Sequence, residues 1–447
     1  MAAAGDDQLV VRKNHQTLIG AGQILPFILV TSLFALWGFA NDLTNPLVKV
    51  FKEVLQISNT QSSLIQVSFY LGYFTMALPA AVYVRRYGYK PGIALGLLLY
   101  SFGAFLTYPA AATMNFWFFV AALYVLTFGL AFLETSANPY ILSLGPADTA
   151  TRRLNLAQAF NPMGSLLGMF VAASFVMSQL TLLEKPAAEK AAMMIADPAL
   201  FQHLQIADLA VVSTPYLAVG AITMLMCLVF VGSRLPEPAD KSVDLISVAD
   251  SIKRLAGNEQ YREGVLAQAF YVGAQISCWT YIIHYGVDVL DLSGTQSQHY
   301  NIVAMVLFLT ARFGCLWLMK IYDPAYLLYF FSSLGAVLII GAMMFDSMLG
   351  LCCLIAVSGC MSLMFPTIYG LSLSAVGTQT QIASAGMVMA IAGGALMPFL
   401  QAVLIDMNPV PDLLHAVQFS FVLPAVCFAV VAWYASRCTY RKKLKLA

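Results

Sequence analysis

The chain has 447 residues, of which 60% are hydrophobic and only 10% are charged, and its formal net charge is +1. Soluble domains carry about 25% charged residues, so this composition excludes an ordinary soluble protein and indicates an all-α polytopic membrane protein. The small net charge and the lack of basic stretches with interleaved aromatics argue against nucleic acid as a partner. Eight cysteines show no metal-ligand spacing, so we expect no metal site and no cofactor.

Apolar stretches of about 20 residues, the length that spans a bilayer, occur in two sets of six. The first set covers residues 24–48, 62–84, 92–112, 116–142, 157–179 and 209–233. The second set covers residues 264–290, 299–320, 325–345, 348–375, 381–405 and 413–436. The sequence therefore predicts twelve transmembrane helices in two six-helix halves, residues 24–233 and 264–436.

Three polar segments complete this organisation, namely residues 1–23, the central loop 234–263 and the basic tail 437–447. Basic residues are concentrated in these segments and in the loops near residues 85–90 and 152–153. The positive-inside rule then predicts that all three segments and both termini are cytoplasmic. We expect a multi-pass membrane protein.

The central loop contains an amphipathic pattern. Its apolar residues recur at helical spacing and are Leu245, Val248, Ala249, Ile252 and Leu255. Charged residues such as Asp250 and Lys253 lie on the opposite face. This pattern predicts a helix that lies on the membrane face and connects the two halves.

The first helix contains Asn41, Asp42 and Asn45 just before Pro46. Asp42 and Asn45 are three residues apart and share a helical face, and Pro46 marks a place where regular helix can stop. Asp42 is a candidate functional residue, with a helix-end carboxylate in water as the alternative. Asn41 and Asn45 are candidate substrate contacts.

The fourth helix places one carboxyl group, Glu134, in a segment that is otherwise uncharged from Gly92 onward. An acidic residue at the centre of a membrane helix costs roughly 2.5–3.5 kcal/mol on insertion scales, so it is retained where it faces a polar interior or has a function. Thr127 and Asn138 share its face, and Pro139 is expected to bend or end the helix. Glu134 is the first functional candidate and Asn138 a candidate substrate contact; the alternative for Glu134 is a structural carboxyl.

The fifth helix has a polar stripe of Gln158, Asn161 and Ser165, at spacings of three and four. Side-chain amides both donate and accept hydrogen bonds, as a sugar hydroxyl requires of a dry site. Gln158 and Asn161 are therefore candidate sugar ligands. The alternative is that these amides link neighbouring helices.

The second half contributes a face of the seventh helix that carries Gln268, Tyr271, Gln275 and Trp279. Aromatic rings suit the C–H faces of a sugar and amides suit its rim, although such a stripe is equally typical of helix packing. The tenth helix adds Phe365 and Tyr369 around Pro366, a bend whose aromatic residues can line a cavity.

Arg312 is the only basic residue in the interior of a predicted helix. Snorkelling toward the cytoplasmic face or structural pairing is the favoured interpretation, and balancing a carboxylate is the alternative.

Three segments resemble the L-fucose:proton symporters of the major facilitator superfamily: residues 133–139 (LETSANP), residues 153–161 (RLNLAQAFN) and residues 271–275 (YVGAQ) with Trp279. The basic loop 84–92 is similar to the loop that marks the superfamily, although the usual aspartate is missing. The resemblance extends from about Leu25 to the last helix. It implies the major facilitator fold, with a substrate site at mid-membrane between the halves.

The resemblance further implies that Glu134 couples sugar to proton and that Gln158 and Asn161 line the sugar cavity. This chain has Asp42-Leu43-Thr44-Asn45 where the family has Asn-Leu-Asn-Asp, so an acid and an amide are exchanged across one turn. Asp42 can supply the carboxylate of about the same face, which makes it the second candidate for proton coupling. Phe365 stands in place of a tyrosine. We expect L-fucose:proton symport by alternating access, carried out by a monomer in the lipid bilayer, with glucose, galactose or N-acetylglucosamine as alternative substrates.

Other functions agree less well with the sequence. An exporter or drug:proton antiporter would favour a more apolar cavity than one with four candidate amides, Asn161, Gln158, Gln268 and Gln275. A non-transporting sugar sensor would be expected to carry an added cytoplasmic domain, whereas only a short basic stretch follows Ser436. No nucleophile with a base, metal cluster or phosphate loop indicates an enzyme.

Overall fold

The structure is a computed structural model that describes residues 17–20, 22–57, 59–182, 185, 187–236, 247–407 and 415–446. Over these residues the regular elements are helices, and no β-strand occurs. The prediction of an all-α protein is therefore confirmed.

The chain divides into two compact units. Unit N comprises residues Ile28–Ala137 and Phe160–Glu237, and unit C comprises Met1–Phe27, Asn138–Ala159 and Pro238–Ala447. Unit C thus includes a segment, Asn138–Ala159, that comes from the first half of the sequence. The predicted boundaries of the two six-helix halves stay a prediction.

The helices that lie mainly in unit N are α1 (Ile24–Leu55), α2 (Asn59–Tyr87), α3 (Tyr89–Ala112), α4 (Phe116–Ser143), α6 (Phe160–Val171), α7 (Ala187–Ala196) and α8 (Pro198–Gly232). Within this unit α3 packs along α8, and the hydroxyl of Ser101 donates a hydrogen bond to the carbonyl of Gly220 at 2.8 Å. A π-helical turn, Ala172–Val176, follows α6.

The helices of unit C are α5 (Ala150–Gln158), α9 (Val248–Gly257), α10 (Glu259–His284), α11 (Gly294–Leu318), α12 (Pro324–Met344), α13 (Met348–Met361), α14 (Met364–Leu373), α15 (Thr380–Met389), α16 (Gly393–Met407), α17 (Ala416–Ser420) and α18 (Val422–Leu446). Within this unit α10 packs against α14, α16 and α18, and the short α5 packs against α11 and α14. The seventh predicted helix, α10, is therefore the central element of unit C.

Ten helical stretches among the described residues are long and apolar enough to cross a membrane. The other two predicted spans are α1, whose apolar stretch Ile24–Ala40 is shorter, and α10, which begins with charged residues and carries two amides. The helices are consistent with the twelve predicted spans.

Two prolines do not end their helices as the sequence suggested. Helix α1 continues past Pro46 to Leu55, and α4 continues past Pro139 to Ser143. Membrane helices tolerate proline because neighbouring groups satisfy the carbonyl that it frees. Helix α8 also begins earlier than predicted, at Pro198, where the side chain of Asp197 accepts a hydrogen bond from the backbone N–H of Leu200 at 3.0 Å.

The loop between α2 and α3 forms the predicted turn, with Gly88 at a φ of +96°. A positive φ is readily adopted only by glycine. Beyond this turn the ammonium group of Lys90 donates to the carbonyls of Val231 and Ser233, each at 2.8 Å. Lys90 thereby stabilises the C-terminal end of α8, where carbonyls lack partners within the helix.

A helix, α9, lies in the predicted amphipathic stretch, but its buried face differs from the prediction. Helix α9 packs against α10 and α15 and buries Ser251 and Leu255, whereas Ile252 is exposed. Leu245, which also belongs to the predicted face, lies outside the described residues.

Helix α18 extends into the predicted basic tail, and some of the basic residues of the tail form ion pairs. Arg441 Nη1 lies 2.7 Å from Glu263 Oε2, and Arg437 Nη2 lies 3.2 Å from Glu259 Oε2, both on α10. Lys442 pairs with Asp323, the N-cap of α12. The ends of three helices of unit C are therefore connected by charge.

Candidate substrate and proton site

The candidate proton carrier, Glu134, is buried in α4 with 7% of its surface exposed. On the same helix Thr127 is fully buried, and its hydroxyl donates to the carbonyl of Leu123 at 2.9 Å. Tyr73 of α2 lies within electrostatic range of Glu134. The carboxyl group is thus buried, as a proton carrier requires and as a structural carboxyl would also allow.

The second candidate, Asp42, is half-buried on α1, within electrostatic range of Tyr70 on α2. It is therefore more accessible than Glu134, in keeping with its position farther along the apolar segment. Asn41 and Asn45 lie in α1, but their side chains are outside the described residues. Their predicted sugar contacts stay predictions.

Asn138 and Gln158, both buried, form a direct side-chain pair in unit C. The amide Nε2 of Gln158 donates to Oδ1 of Asn138 at 2.8 Å. The sequence proposed both residues separately, and the structure brings them together across α4 and α5. A buried amide pair of this kind presents a fixed array of donors and acceptors.

Asn161 belongs to unit N and lies against α1. Its side-chain Nδ2 donates a hydrogen bond to the carbonyl of Phe34 at 3.3 Å. Its backbone carbonyl oxygen would lie only 2.1 Å from a Cβ atom added to Gly38. Farther along α6, the hydroxyl of Ser165 donates to the carbonyl of Gly38 at 3.4 Å. Since Asn161 is only half-buried, its amide is held at one edge and accessible at the other.

The predicted face of α10 divides into a buried and an accessible part. Gln268 is fully buried, and neither amide atom has a hydrogen-bond partner among the described residues. Gln275 and Trp279 are half-buried. The indole Nε1 of Trp279 donates to Ser358 Oγ at 3.2 Å, and its ring meets Phe308 edge-on at 5.1 Å. Gln275 and Trp279 therefore retain exposed surface for a ligand.

Three aromatic residues form a cluster between α10 and α14. The ring of Phe365 stacks on Tyr369 at 6.4 Å and meets Tyr271 edge-on, also at 6.4 Å. The hydroxyl of Tyr271 donates to the carbonyl of Met361 at 3.0 Å, at the break between α13 and α14. Tyr271 and Tyr369 are fully buried, so Phe365 is the member with exposed surface.

Arg312 of α11 was not among the predicted site residues, yet the structure places it beside them. It is 4% exposed, so it does not snorkel, and it pairs with no carboxylate among the described residues. Its guanidinium donates to the backbone carbonyls of Ser362 and Gln158. The sequence signal was available, because a lone basic residue inside an apolar helix is expensive unless it has buried partners.

The chain is similar to known proteins over nearly its whole length. A model of the Major Facilitator Superfamily matches residues 29–398. The chain is 48% identical over 414 residues to the L-fucose-proton symporter of Haemophilus influenzae, covering 93% of this chain and 96% of that one. It is 34% identical to the L-fucose-proton symporter of Escherichia coli, covering 92% of each.

The fold agrees with these matches. A crystal structure of the transporter FucP in the outward conformation superposes with a TM-score of 0.84, at 32% identity, covering 93% of this chain and 99% of that one. The predicted major facilitator fold is thereby confirmed. The chain belongs to the L-fucose:proton symporter family of the major facilitator superfamily.

Proposed function

We propose that this protein is a membrane transporter that takes up L-fucose together with protons by alternating access. The 48% identity to the L-fucose-proton symporter of Haemophilus influenzae, over 93% of the chain, is the observation that carries this proposal. Our proposal includes a monomer in the lipid bilayer of the bacterial inner membrane, with both termini in the cytoplasm.

Glu134 is the proposed proton carrier. A buried carboxylate is costly to enclose in an apolar segment, whereas a protonated carboxyl is not. Closure around a bound sugar then becomes favourable only after Glu134 has taken up a proton, and this requirement couples the two movements. Asp42, the half-buried acid on α1, is proposed as a second group in the proton path.

The proposed sugar ligands present amides and aromatic rings. In unit C they are the Asn138–Gln158 pair, Gln275, Trp279 and Phe365, with Gln268, Tyr271 and Tyr369 buried behind them. In unit N the proposed ligand with a described side chain is Asn161. Amides satisfy sugar hydroxyls, and rings cover the C–H faces and the methyl group of L-fucose.

The test is sugar-induced proton movement in proteoliposomes that contain the purified protein. A pH dye inside the vesicles is followed while L-fucose, D-glucose, D-galactose and N-acetylglucosamine are added in turn. Acidification of the lumen with L-fucose alone is the expected result. Passage of labelled L-fucose without proton movement would replace symport by uniport, and no passage of any sugar would overturn the proposal.

A second candidate, symport of another hexose, is favoured by two departures from the family pattern. Asp42 is an acid where the family has an amide, and Asn45 is an amide where the family has an acid. Phe365 lacks the hydroxyl that a tyrosine would offer. Both changes alter the hydrogen bonds available to a sugar. A proton signal with D-glucose or D-galactose, and none with L-fucose, would establish this candidate instead.

A further inference from the structure

Arg312 is a buried positive charge in α11 that has no counter-ion among the described residues. Only 4% of its surface is exposed, and its partners are two backbone carbonyls. A buried charge is usually paired with an opposite charge, because leaving it unpaired costs several kcal/mol. Arg312 must therefore satisfy some requirement that outweighs this cost.

The two carbonyls share an uncommon feature. Arg312 Nε lies 2.5 Å from the carbonyl oxygen of Ser362, and Nη1 lies 2.7 Å from that of Gln158. In a helix the carbonyl of residue i accepts the N–H of residue i+4. For Ser362 that residue is Pro366, and for Gln158 it is Pro162, and proline has no N–H to donate.

Both carbonyls are thus acceptors that their own helices cannot satisfy. An unpaired backbone group inside a membrane protein costs several kcal/mol, so one guanidinium that serves two of them removes two such costs. The ring of Phe308, 4.7 Å from the guanidinium carbon, adds a cation–π contact. The hydroxyl of Tyr271 donates a hydrogen bond to the neighbouring carbonyl of Met361.

Gln158 is the last residue of α5 and Ser362 lies between α13 and α14, and both positions are next to proposed sugar ligands in unit C. Gln158 donates through its side chain to Asn138 while Arg312 holds its backbone. Ser362 lies in the break that precedes Phe365 and Tyr369. We propose that Arg312 is a positioning residue of the sugar site, which fixes the Gln158 amide and the Phe365 ring by binding the carbonyls that Pro162 and Pro366 leave open. This inference rests on the proposed function.

The experiment measures the dissociation constant for labelled L-fucose on the purified full-length protein. Arg312→Met retains side-chain length and loses all donors, and we expect an approximately tenfold weaker affinity, as for the loss of buried hydrogen bonds. Arg312→Lys retains a charged donor and should lose less. Lys320→Met, which removes an exposed positive charge just after the same helix, should bind like the unmodified protein.

Backbone complementation separates positioning from simple stability. Adding Pro162→Ala to Arg312→Met supplies an N–H for the carbonyl of Gln158, so the double variant should recover part of the lost affinity. Thermal unfolding of each variant measures how much of it is folded, and each dissociation constant is calculated for the folded protein alone. If Arg312→Met does not fold, the Arg312→Lys variant with and without Pro162→Ala gives the same comparison.

Wild-type affinity in Arg312→Met, or no recovery on adding Pro162→Ala, would overturn the positioning role. Failure of the proposed function is recognisable separately, because the unmodified protein would then bind no L-fucose.

Discussion

At the scale of single residues, the structure separates groups that could handle a proton from groups that could only bind a sugar. Glu134 is buried within unit N, whereas the amides of Gln158, Asn161 and Gln275 cannot titrate in water's pH range. Coupling therefore depends on very few side chains, and single substitutions can dissociate it from sugar binding.

Replacing Glu134 by Gln should abolish proton-driven accumulation of L-fucose and leave exchange of sugar across the membrane at least partly intact. The neutral amide mimics the protonated carboxyl in size and charge, so the protein can close around sugar without taking up a proton. Accumulation and counterflow of labelled L-fucose in proteoliposomes measure the two properties separately.

The matched control is Glu189→Gln, which makes the same chemical change at an exposed residue that pairs with Lys185. It should accumulate sugar normally. Accumulation by Glu134→Gln at the wild-type level would remove Glu134 from the proton path.

Replacing Gln158 by Leu should raise the KM for L-fucose about tenfold while the proton-to-sugar ratio stays the same, since the change removes about one buried hydrogen bond to substrate and one to Asn138. Initial rates at a series of sugar concentrations give KM. Gln202→Leu, at an exposed position of α8, is the control and should have no effect. An unchanged KM for Gln158→Leu would indicate that this amide serves packing alone.

The sequence could predict which polar residues lie within the membrane, but not which residues they contact. Spacing placed Gln158 on a polar stripe, yet its partner Asn138 lies on another helix, and no local pattern encodes that contact. Gln268 shares the predicted face of α10 but is fully buried, because burial depends on the helices packed against α10. Arg312 could be recognised as costly, whereas its two carbonyls needed the fold.

At the scale of elements, close helix contacts are set by small residues. An ideal Cβ on Gly164 of α6 would lie 1.9 Å from the carbonyl oxygen of Ala35 on α1, and one on Gly168 would lie 2.4 Å from that of Phe39. Such a distance is possible only when the side chain is hydrogen, as in other small-residue contacts between membrane helices. The position of Asn161 against α1 depends on this contact.

Replacing Gly164 by Ala should therefore destabilise the protein by about 1–3 kcal/mol, the usual cost of overpacking, and lower its thermal unfolding temperature in detergent. Gly314→Ala is a matched control, because nothing lies within 4 Å of its Cβ. That control should be neutral or slightly stabilising, as alanine favours a helix over glycine. Equal unfolding temperatures for the two variants would show that α1 and α6 separate at little cost.

Element boundaries were predicted less well than element existence. Every predicted span overlaps a helix of the described residues, but hydropathy could not show that α8 begins at Pro198 under the Asp197 cap, or that α4 continues through Pro139. Caps and prolines depend on which carbonyls and N–H groups find partners in neighbouring helices. The short helix α7 was missed because its length is too small for a span.

At the scale of the whole molecule, the distribution of basic residues predicts orientation in the membrane. Part of the positive charge on α18 is paired with acids of α10 and α12. The positive-inside rule responds to basic residues near span ends and only weakly to acids. The ion pairs therefore do not alter the predicted cytoplasmic location of both termini.

Fusion of green fluorescent protein after Ala447 should give fluorescent cells, and fusion of alkaline phosphatase at the same place should be inactive, since the first requires the cytoplasm and the second the periplasm. A truncated phosphatase fusion within residues 291–298, a predicted outer loop, is the control and should be active. Active phosphatase after Ala447 would reverse the orientation.

Trp279 gives the protein an optical property that follows from its packing. Its indole is anchored to Ser358 and Phe308 while part of the ring stays accessible beside the proposed sugar ligands. The other tryptophans lie either in the core or on exposed outer helix faces: Trp37, Trp117, Trp317 and Trp433. A sugar that covers Trp279 would change the emission of one fluorophore and leave the remaining four as a constant background, so the unmodified chain can report its own occupancy without a label.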